Sequence, residues 1–168
     1  MKRIKIQYYV EGECEKKLLE VLKEQNNVIL PGKIEVFNVV NKELTDMYLR
    51  LLSEKTIVVF IFDTDIEKTD ILRKNISKVK KNGRIRDLWL VIQVKNLEDE
   101  LLRSTDVRHV QDLVGCSTEK EFKHAFIVEK NLFEKLNNHG FDLSKMWIKT
   151  PNKPFDDLWN DGNRIKKG

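Results

Sequence analysis

The chain has 168 residues, a length typical of one domain, and an apolar fraction of 40% is enough to form a buried core. Charged residues make up 35% of the chain, and the net charge of +4 is too small to identify a nucleic-acid-binding protein by itself. The sequence shows no low-complexity tract, no signal peptide and no apolar run approaching the roughly 20 residues of a membrane helix, so we expect a soluble, cytoplasmic protein without a membrane partner.

The first third of the chain alternates strand and helix patterns. β-Branched and aromatic residues predict strands over 4–10 and 34–40, and apolar residues at helical spacing predict helices over 15–24 and 43–54. Five apolar side chains of the second predicted helix are expected to face the core: Leu44, Met47, Tyr48, Leu51 and Leu52.

The next segment continues this alternation and contains the most apolar predicted strand. Residues 56–62 are apolar without interruption, which is typical of a strand buried on both faces of a parallel sheet. Residues 69–81 predict a helix, 88–94 a strand and 97–103 a short helix. The repeated order predicts an α/β, Rossmann-like fold with a mainly parallel four-stranded sheet and helices on both faces.

The C-terminal part is expected to be mostly helical. Residues 119–134 carry a helical pattern with a break near the middle, and residues 156–164 predict a last short helix or an irregular end. An extra edge strand is also compatible with this part. We therefore divide one domain, residues 1–168, into a core over 4–103 and a C-terminal extension over 104–168.

Acidic residues follow two of the predicted strands where each strand ends. Glu11 follows the first strand, and Asp63 and Asp65 follow the most apolar one. Ligands of open parallel sheets bind beyond the carboxyl ends of the strands, where these side chains can face one point. Clustered carboxylates repel one another unless a cation lies between them. The pattern predicts a Mg²⁺ or Mn²⁺ site for phosphodiester chemistry on nucleic acid, and a solvent-facing acidic turn is the structural alternative.

Two segments resemble the motifs of Toprim (topoisomerase–primase) domains. Residues 9–13, Tyr-Val-Glu-Gly-Glu, are similar to the family's motif of a strand, Glu-Gly and a helix. Residues 60–65, Phe-Ile-Phe-Asp-Thr-Asp, are similar to its second motif, a hydrophobic strand ending in Asp-x-Asp. The resemblance implies that Asp63 and Asp65 hold Mg²⁺ and that Glu11 acts in acid–base or metal chemistry.

Within this superfamily, the chain resembles small stand-alone proteins, namely nucleases of the overcoming-lysogenisation-defect type and the RloB-like group linked to bacterial defence. The resemblance implies a nuclease acting on DNA or RNA in anti-phage defence, with an ATPase as a candidate partner protein. It implies a further metal-binding acid after the fourth strand, for which Glu98 and then Glu100 are candidates, and a catalytic lysine, for which Lys149 is the candidate. Complementing the helix dipole is the alternative role of Glu98.

Two other functions are alternatives to the nuclease. A catalytically silent Toprim-like subunit of a larger complex would keep the acids for Mg²⁺ or for a partner. Haloacid-dehalogenase-like phosphatases also place Asp-x-Asp after a hydrophobic strand, with the first Asp as nucleophile. Against the phosphatase, this chain has Glu67 where that motif has Thr or Val, and its motif follows the third strand rather than the first.

Basic and aromatic residues elsewhere have two interpretations. Trp147 and Trp159 are expected to pack in the structure, although aromatic residues among cations are also used to stack bases. A basic cluster after the third predicted helix either contacts a phosphate backbone or is a solvated helix end, and it comprises Lys78, Lys80, Lys81, Arg84 and Arg86.

Overall fold

A central parallel sheet organises the computed structural model, which describes residues 3–25 and 27–168. Its strands are β1 (Ile6–Val10), β2 (Lys33–Val36), β3 (Ile57–Asp63) and β4 (Asp87–Gln93). They lie in the order β2-β1-β3-β4, and every neighbouring pair is parallel. The predicted α/β fold with a four-stranded parallel sheet is confirmed.

Helices cover both faces of this sheet. They are α1 (Glu13–Glu20), α2 (Asp46–Arg50), α3 (Asp70–Lys81), α4 (Leu97–Ser104), α5 (Glu119–Val128) and α6 (Leu132–Asn138). Apolar residues of α1, α4, α5 and α6 pack with Val59 and Ile61 on one face, and those of α2 and α3 pack with Phe60 and Phe62 on the other. Successive β3 residues therefore enter two separate cores, as expected for a strand buried on both sides. Among the described helices, none combines the length and apolar character needed to span a bilayer.

The C-terminal extension is helical only in part. The predicted helix over 119–134 is divided into α5 and α6, and the last predicted helix is reduced to a 3-10 turn at Gly162–Ile165. The extra edge strand is not formed by the described residues of the extension. Trp147 is buried as expected, whereas the expected packing of Trp159 is wrong because its side chain is 81% exposed.

The second strand is shorter than predicted. β2 ends at Val36, whereas the sequence predicts a strand to residue 40. The side-chain oxygen of Asn38 accepts hydrogen bonds from the amides of Val40 and Asn41, which turns the chain away from the sheet. The following apolar residues are buried in a turn, where strand propensity is overridden by this local bond.

The second helix is also shorter, and its apolar face is not the one predicted. The amide of Leu44 donates to the Asn75 side chain of α3, so the helix begins only at Asp46. Beyond its end, the Arg84 guanidinium donates to the carbonyl oxygen of Leu52. One helical turn cannot direct all five apolar side chains inward. The expected inward orientation is wrong for Met47 and Leu51, which are 68% and 80% exposed, whereas Tyr48 is 36% exposed and packs its ring against the buried Phe37.

A close contact in the extension holds Trp147 in place. A Cβ atom built on Gly162 would lie 2.0 Å from the carbonyl oxygen of Trp147. We expect Gly162→Ala to lower the free energy of unfolding by about 1–3 kcal/mol, the usual cost of overpacking, in urea denaturation. Gly83→Ala is the control, because no atom lies within 4 Å of a Cβ there. Equal effects of the two substitutions would contradict the close packing.

Candidate active site

A crevice opens where β1 and β3 lie side by side. The helix that follows β1 packs on one face of the sheet and the helix that follows β3 packs on the other. The chain therefore diverges beyond the carboxyl ends of these strands, the position at which open parallel sheets bind ligands. Glu11 directly follows β1 and Asp63 is the last residue of β3, so both lie at this crevice.

Glu11 and Asp63 are in direct contact. A carboxylate oxygen of Glu11 accepts a hydrogen bond from the backbone amide of Asp63 at 2.7 Å, and the Asn38 side chain lies near enough to help lower the pKa of Glu11. Burial raises the pKa of Glu11, the bond from the Asp63 amide lowers it, and the carboxylates of Glu15 and Asp65 raise it again. The ends of β1 and β3 and the turn after β2 thus come together around the Glu11 carboxylate.

Gln93, the last residue of β4, connects two of the acids. Its side chain is fully buried, and its nitrogen donates to Asp63 Oδ1 at 2.6 Å and to Glu15 Oε1 at 3.3 Å. Its oxygen accepts from the Trp147 indole nitrogen at 3.3 Å. The orientation of the amide follows from chemistry, since only its NH₂ end can donate to carboxylates.

The acids of this site are poorly solvated. The pKa of Asp63 is raised to about 9, first by burial and then by the carboxylates of Glu11 and Glu15, while the hydrogen bond from Gln93 acts to lower it. Burial also raises the pKa of Glu15, whose residue surface is only 8% exposed. Acids that cannot all ionise together favour a bound cation.

Two adjoining clefts lead to these acids. One, of about 250 Å³, is lined by Glu15 and Asp63 together with Glu98 of α4 and Lys123 of α5. The other, of about 550 Å³, shares Glu98 and Lys123 with the first. Lys123 Nζ lies 4.0 Å from a Glu98 carboxylate oxygen. The larger cleft is lined by five basic side chains: Lys95, Arg108, His109, Lys120 and Lys123.

Thr64 forms hydrogen bonds that connect the loop after β3, which contains Asp65, to the loop after β4. Its amide donates to the Lys95 carbonyl oxygen at 3.0 Å, and its hydroxyl accepts from the Lys95 amide at 2.8 Å and donates to the Gln93 carbonyl oxygen at 3.2 Å. Lys95 adopts a left-handed backbone conformation with φ of 73°. Two strand ends are therefore held together beside the acids.

The structure brings most of the predicted site residues together. Glu11 and Asp63 touch, and Asp65 is near enough for its charge to raise the pKa of both. Glu98 lines the same cleft as Asp63. Lys149 lies outside both clefts with an exposed side chain, and its carbonyl oxygen accepts from Asn160.

The surroundings of Glu100 indicate a structural role rather than metal binding. Its carboxylate is fully buried and accepts hydrogen bonds from the amides of Val94 and Trp147 and from the Arg103 guanidinium. This carboxylate therefore joins α4 to the end of β4 and to the segment that contains Trp147.

The basic cluster after α3 lies away from the acids. It occupies the end of α3 and the approach to β4, which is the amino edge of the sheet. Lys78 donates to the carbonyl oxygen of Leu44, and Arg84 donates to that of Leu52. These two cations hold the segment around α2 in place.

Sequence reasoning missed several residues of this site. Glu15 lies in the first turn of α1, the helix that directly follows Glu11 and Gly12, so its closeness to Glu11 in the sequence was a usable signal. Gln93 was visible as a polar residue at the end of an apolar strand. Trp147 had no signal, because it lies 54 residues from Gln93 in an irregular segment.

The donor set fits a hard cation. Carboxylate oxygens are the ligands that Mg²⁺ and Mn²⁺ prefer. Within residues 3–25 and 27–168, no three His, Cys, Asp or Glu side chains already form a metal-binding group. Mg²⁺ is commonly held by one or two carboxylates, with water and phosphate oxygens completing its shell. Glu11 and Asp63 would supply the carboxylates, with Asp65, Glu15 and Glu98 nearby.

Removing the Asp63 charge is expected to stabilise the metal-free protein in a pH-dependent way. Its pKa is raised from 3.8 to about 9, so ionisation disfavours the folded state increasingly as pH rises through that interval. In chelator-containing buffer, the melting temperature of Asp63→Asn should exceed that of wild type by a margin that grows between about pH 5 and pH 9 and is small near pH 4. The exposed Asp112→Asn is the control. A margin independent of pH would contradict the buried environment of Asp63.

Removing the Gln93 amide is expected to destabilise the fold. Gln93→Leu takes away three hydrogen bonds, and each buried partner left without one costs about 1–3 kcal/mol. Urea denaturation of Gln93→Leu and Gln111→Leu measures the difference. Gln111 is partly buried, and its side chain makes no hydrogen bond within the described part of the chain. Similar midpoints for both variants would rule out the bridge as a stabilising element.

Comparison with models of protein families, with curated proteins and with solved structures gives no match. The arrangement of residues at the carboxyl edge of the sheet is therefore the basis for a proposal about function.

Proposed function

We propose that this protein is a Mg²⁺- or Mn²⁺-dependent nuclease of Toprim type that hydrolyses phosphodiester bonds in DNA or RNA. The observation that carries the proposal is the contact of Glu11 with Asp63 in the crevice between β1 and β3. Asp65 and Glu15 lie within electrostatic reach of both. Acids that extend from neighbouring strands into such a crevice are suited to holding a cation beside a phosphate.

Each residue of the site has a part in this chemistry. A bound Mg²⁺ or Mn²⁺ would polarise a phosphoryl oxygen and lower the pKa of an attacking water. Glu11 has a pKa raised by burial, which brings this carboxylate closer to the range useful for a general base. Gln93 holds Asp63 and Glu15 in fixed orientations, so little reorganisation is needed when charge develops.

The larger cleft supports a polynucleotide substrate. Lys95 lies 3.6 Å from Asp99 and Lys123 lies 4.0 Å from Glu98, so both cations are partly neutralised. Two other cations of this cleft, Arg108 and Lys120, form no ion pair with a described residue, although Glu119 belongs to the same lining. Cations beside an acidic centre can hold the phosphates that flank a scissile bond.

The geometry favours this function over a phosphatase with Asp63 as nucleophile. Asp63 ends the third strand of the chain, whereas the phosphatase motif normally ends the first. One of its oxygens is also engaged by Gln93. The Toprim resemblance extends the proposal to a cytoplasmic role in anti-phage defence beside an ATPase.

Charge removal at the site is expected to abolish cleavage while the fold persists. Asp63→Asn, Asp65→Asn and Glu11→Gln should each lower the rate at least about 100-fold, because metal assistance is worth several kcal/mol and each ~1.4 kcal/mol is tenfold. The assay uses single- and double-stranded DNA and RNA with Mg²⁺ or Mn²⁺. Calorimetric titration with Mn²⁺ should show weaker binding in the same variants. Lys149→Ala is expected to keep its activity, since that side chain is exposed outside the clefts.

The results of these assays distinguish the nuclease, the silent binding subunit and the phosphatase. Undiminished cleavage by Asp63→Asn would remove these acids from the catalytic site. Mn²⁺ binding without cleavage of any substrate would favour the silent binding subunit. A phosphoryl group trapped on the Asp63 carboxylate would favour the phosphatase.

A further inference from the structure

The two edge strands of the sheet, β4 and β2, differ in whether their outer backbone groups are hydrogen-bonded. Along β4, the Asp161 amide donates to the Leu90 carbonyl oxygen and the Asp161 carboxylate accepts from the Leu90 amide. The Asn160 side chain accepts from the Ile92 amide and donates to the Ile92 carbonyl oxygen. The C-terminal extension therefore closes this edge against pairing with another strand.

The opposite edge, along β2, is open. The Phe37 amide donates inward to the Val10 carbonyl oxygen at 2.8 Å. Backbone groups alternate along a strand, so the amides and carbonyls of Ile34 and Val36 point outward. Within the part of the chain that the structure describes, no hydrogen bond reaches these outward groups. β2 is thus a free strand edge.

An apolar surface flanks this free edge on the α2 face. Met47 and Leu51 of the α2 segment are 68% and 80% exposed, Tyr48 is 36% exposed, and Ile4 before β1 is 53% exposed. A groove of about 500 Å³ between α2 and the first two strands includes Tyr48 and Leu51. Exposed apolar side chains concentrated beside a free strand mark an interaction surface.

We propose that a second copy of this chain binds here, with the two β2 strands pairing antiparallel into one continuous eight-stranded sheet. This dimer does not depend on the proposed nuclease activity. A two-fold axis perpendicular to the sheet relates the copies, so each face of one sheet continues into the same face of the other. The two α2 segments then meet, and they cover Met47, Tyr48 and Leu51 of both copies.

Charge and hydrogen-bond alternation select one register. With Ile34 on the two-fold axis, the outward groups of each strand meet outward groups, and Lys33 lies opposite Glu35 of the partner subunit. Shifting the axis to residue 33 or to residue 35 would place like charges opposite each other, Lys33 against Lys33 of the partner subunit or Glu35 against Glu35 of the partner subunit. Within one copy, Lys33 and Glu35 already lie 2.6 Å apart, so both project on one face of β2.

Charge variants of β2 test the partner and the register together. Lys33→Glu makes the strand purely acidic and Glu35→Lys makes it purely basic, so each variant alone should sediment as a monomer. An equimolar mixture of the two should form a heterodimer, because every cross-strand pair is again of opposite charge. Wild type should have twice the 19.9 kDa mass of one chain at micromolar concentration and above. If the two substitutions acted only within one copy, mixing the two variants would not restore a dimer.

A second pair of measurements locates the surface. Leu51→Glu should give a monomer, whereas Trp159→Glu, at an 81% exposed residue far along the chain, should remain a dimer. In the dimer, the amides of Ile34 and Val36 should exchange with deuterium at least tenfold more slowly than in Lys33→Glu. Circular dichroism melts establish that each variant is folded. A monomeric wild type, a dimer that survives Lys33→Glu, or a mixture that stays monomeric would each overturn the proposal.

Discussion

The candidate site depends on a single buried amide. Gln93 has one donor end and one acceptor end, and the carboxylates of Asp63 and Glu15 require the donor end. The acceptor end must then face a donor, which the Trp147 indole supplies. The orientation of one side chain thereby links α1, β3 and β4 to a segment far along the chain. Without it, the buried carboxyl groups of Asp63 and Glu15 would each lose a hydrogen-bond donor, and burying a polar group without its hydrogen bond is costly.

The C-terminal extension completes the core in two physical ways. The Trp147 indole donates to Gln93, the last residue of β4. Asn160, from the same C-terminal segment, accepts from the Ile92 amide on the outer edge of β4. Glu100 holds this segment by accepting the Trp147 amide. The extension is therefore part of the domain's central architecture, although its own secondary structure is sparse. Support for the candidate site and protection of the sheet edge are supplied by residues whose local sequence carries no pattern.

The sequence predicts those features that depend on local pattern and misses those that depend on distant partners. The unbroken apolar run before Asp63 predicts a central parallel strand, because only burial on both faces explains it. The length of α2 could not be predicted, since Asn75 ends the preceding segment from another helix. Glu11 and Asp63 were identifiable because both directly follow strands. The buried support from Gln93 and Trp147 depends on an encounter across 54 residues, and no periodicity reports such an encounter.

The bonds between residues 28–30 and 165–167 have a consequence for synthesis. The Leu30 amide donates to the Ile165 carbonyl oxygen, and the Lys167 amide donates to the Val28 carbonyl oxygen. On the ribosome, β1 and β3 are synthesised long before these late residues, so the two strands can pair first. During that interval the amide of Gln93 lacks its indole and α1 lacks its α5 neighbour. Glu11 and Asp63 can therefore meet before Trp147 and α5 have been made, and the buried support of the site forms only afterwards.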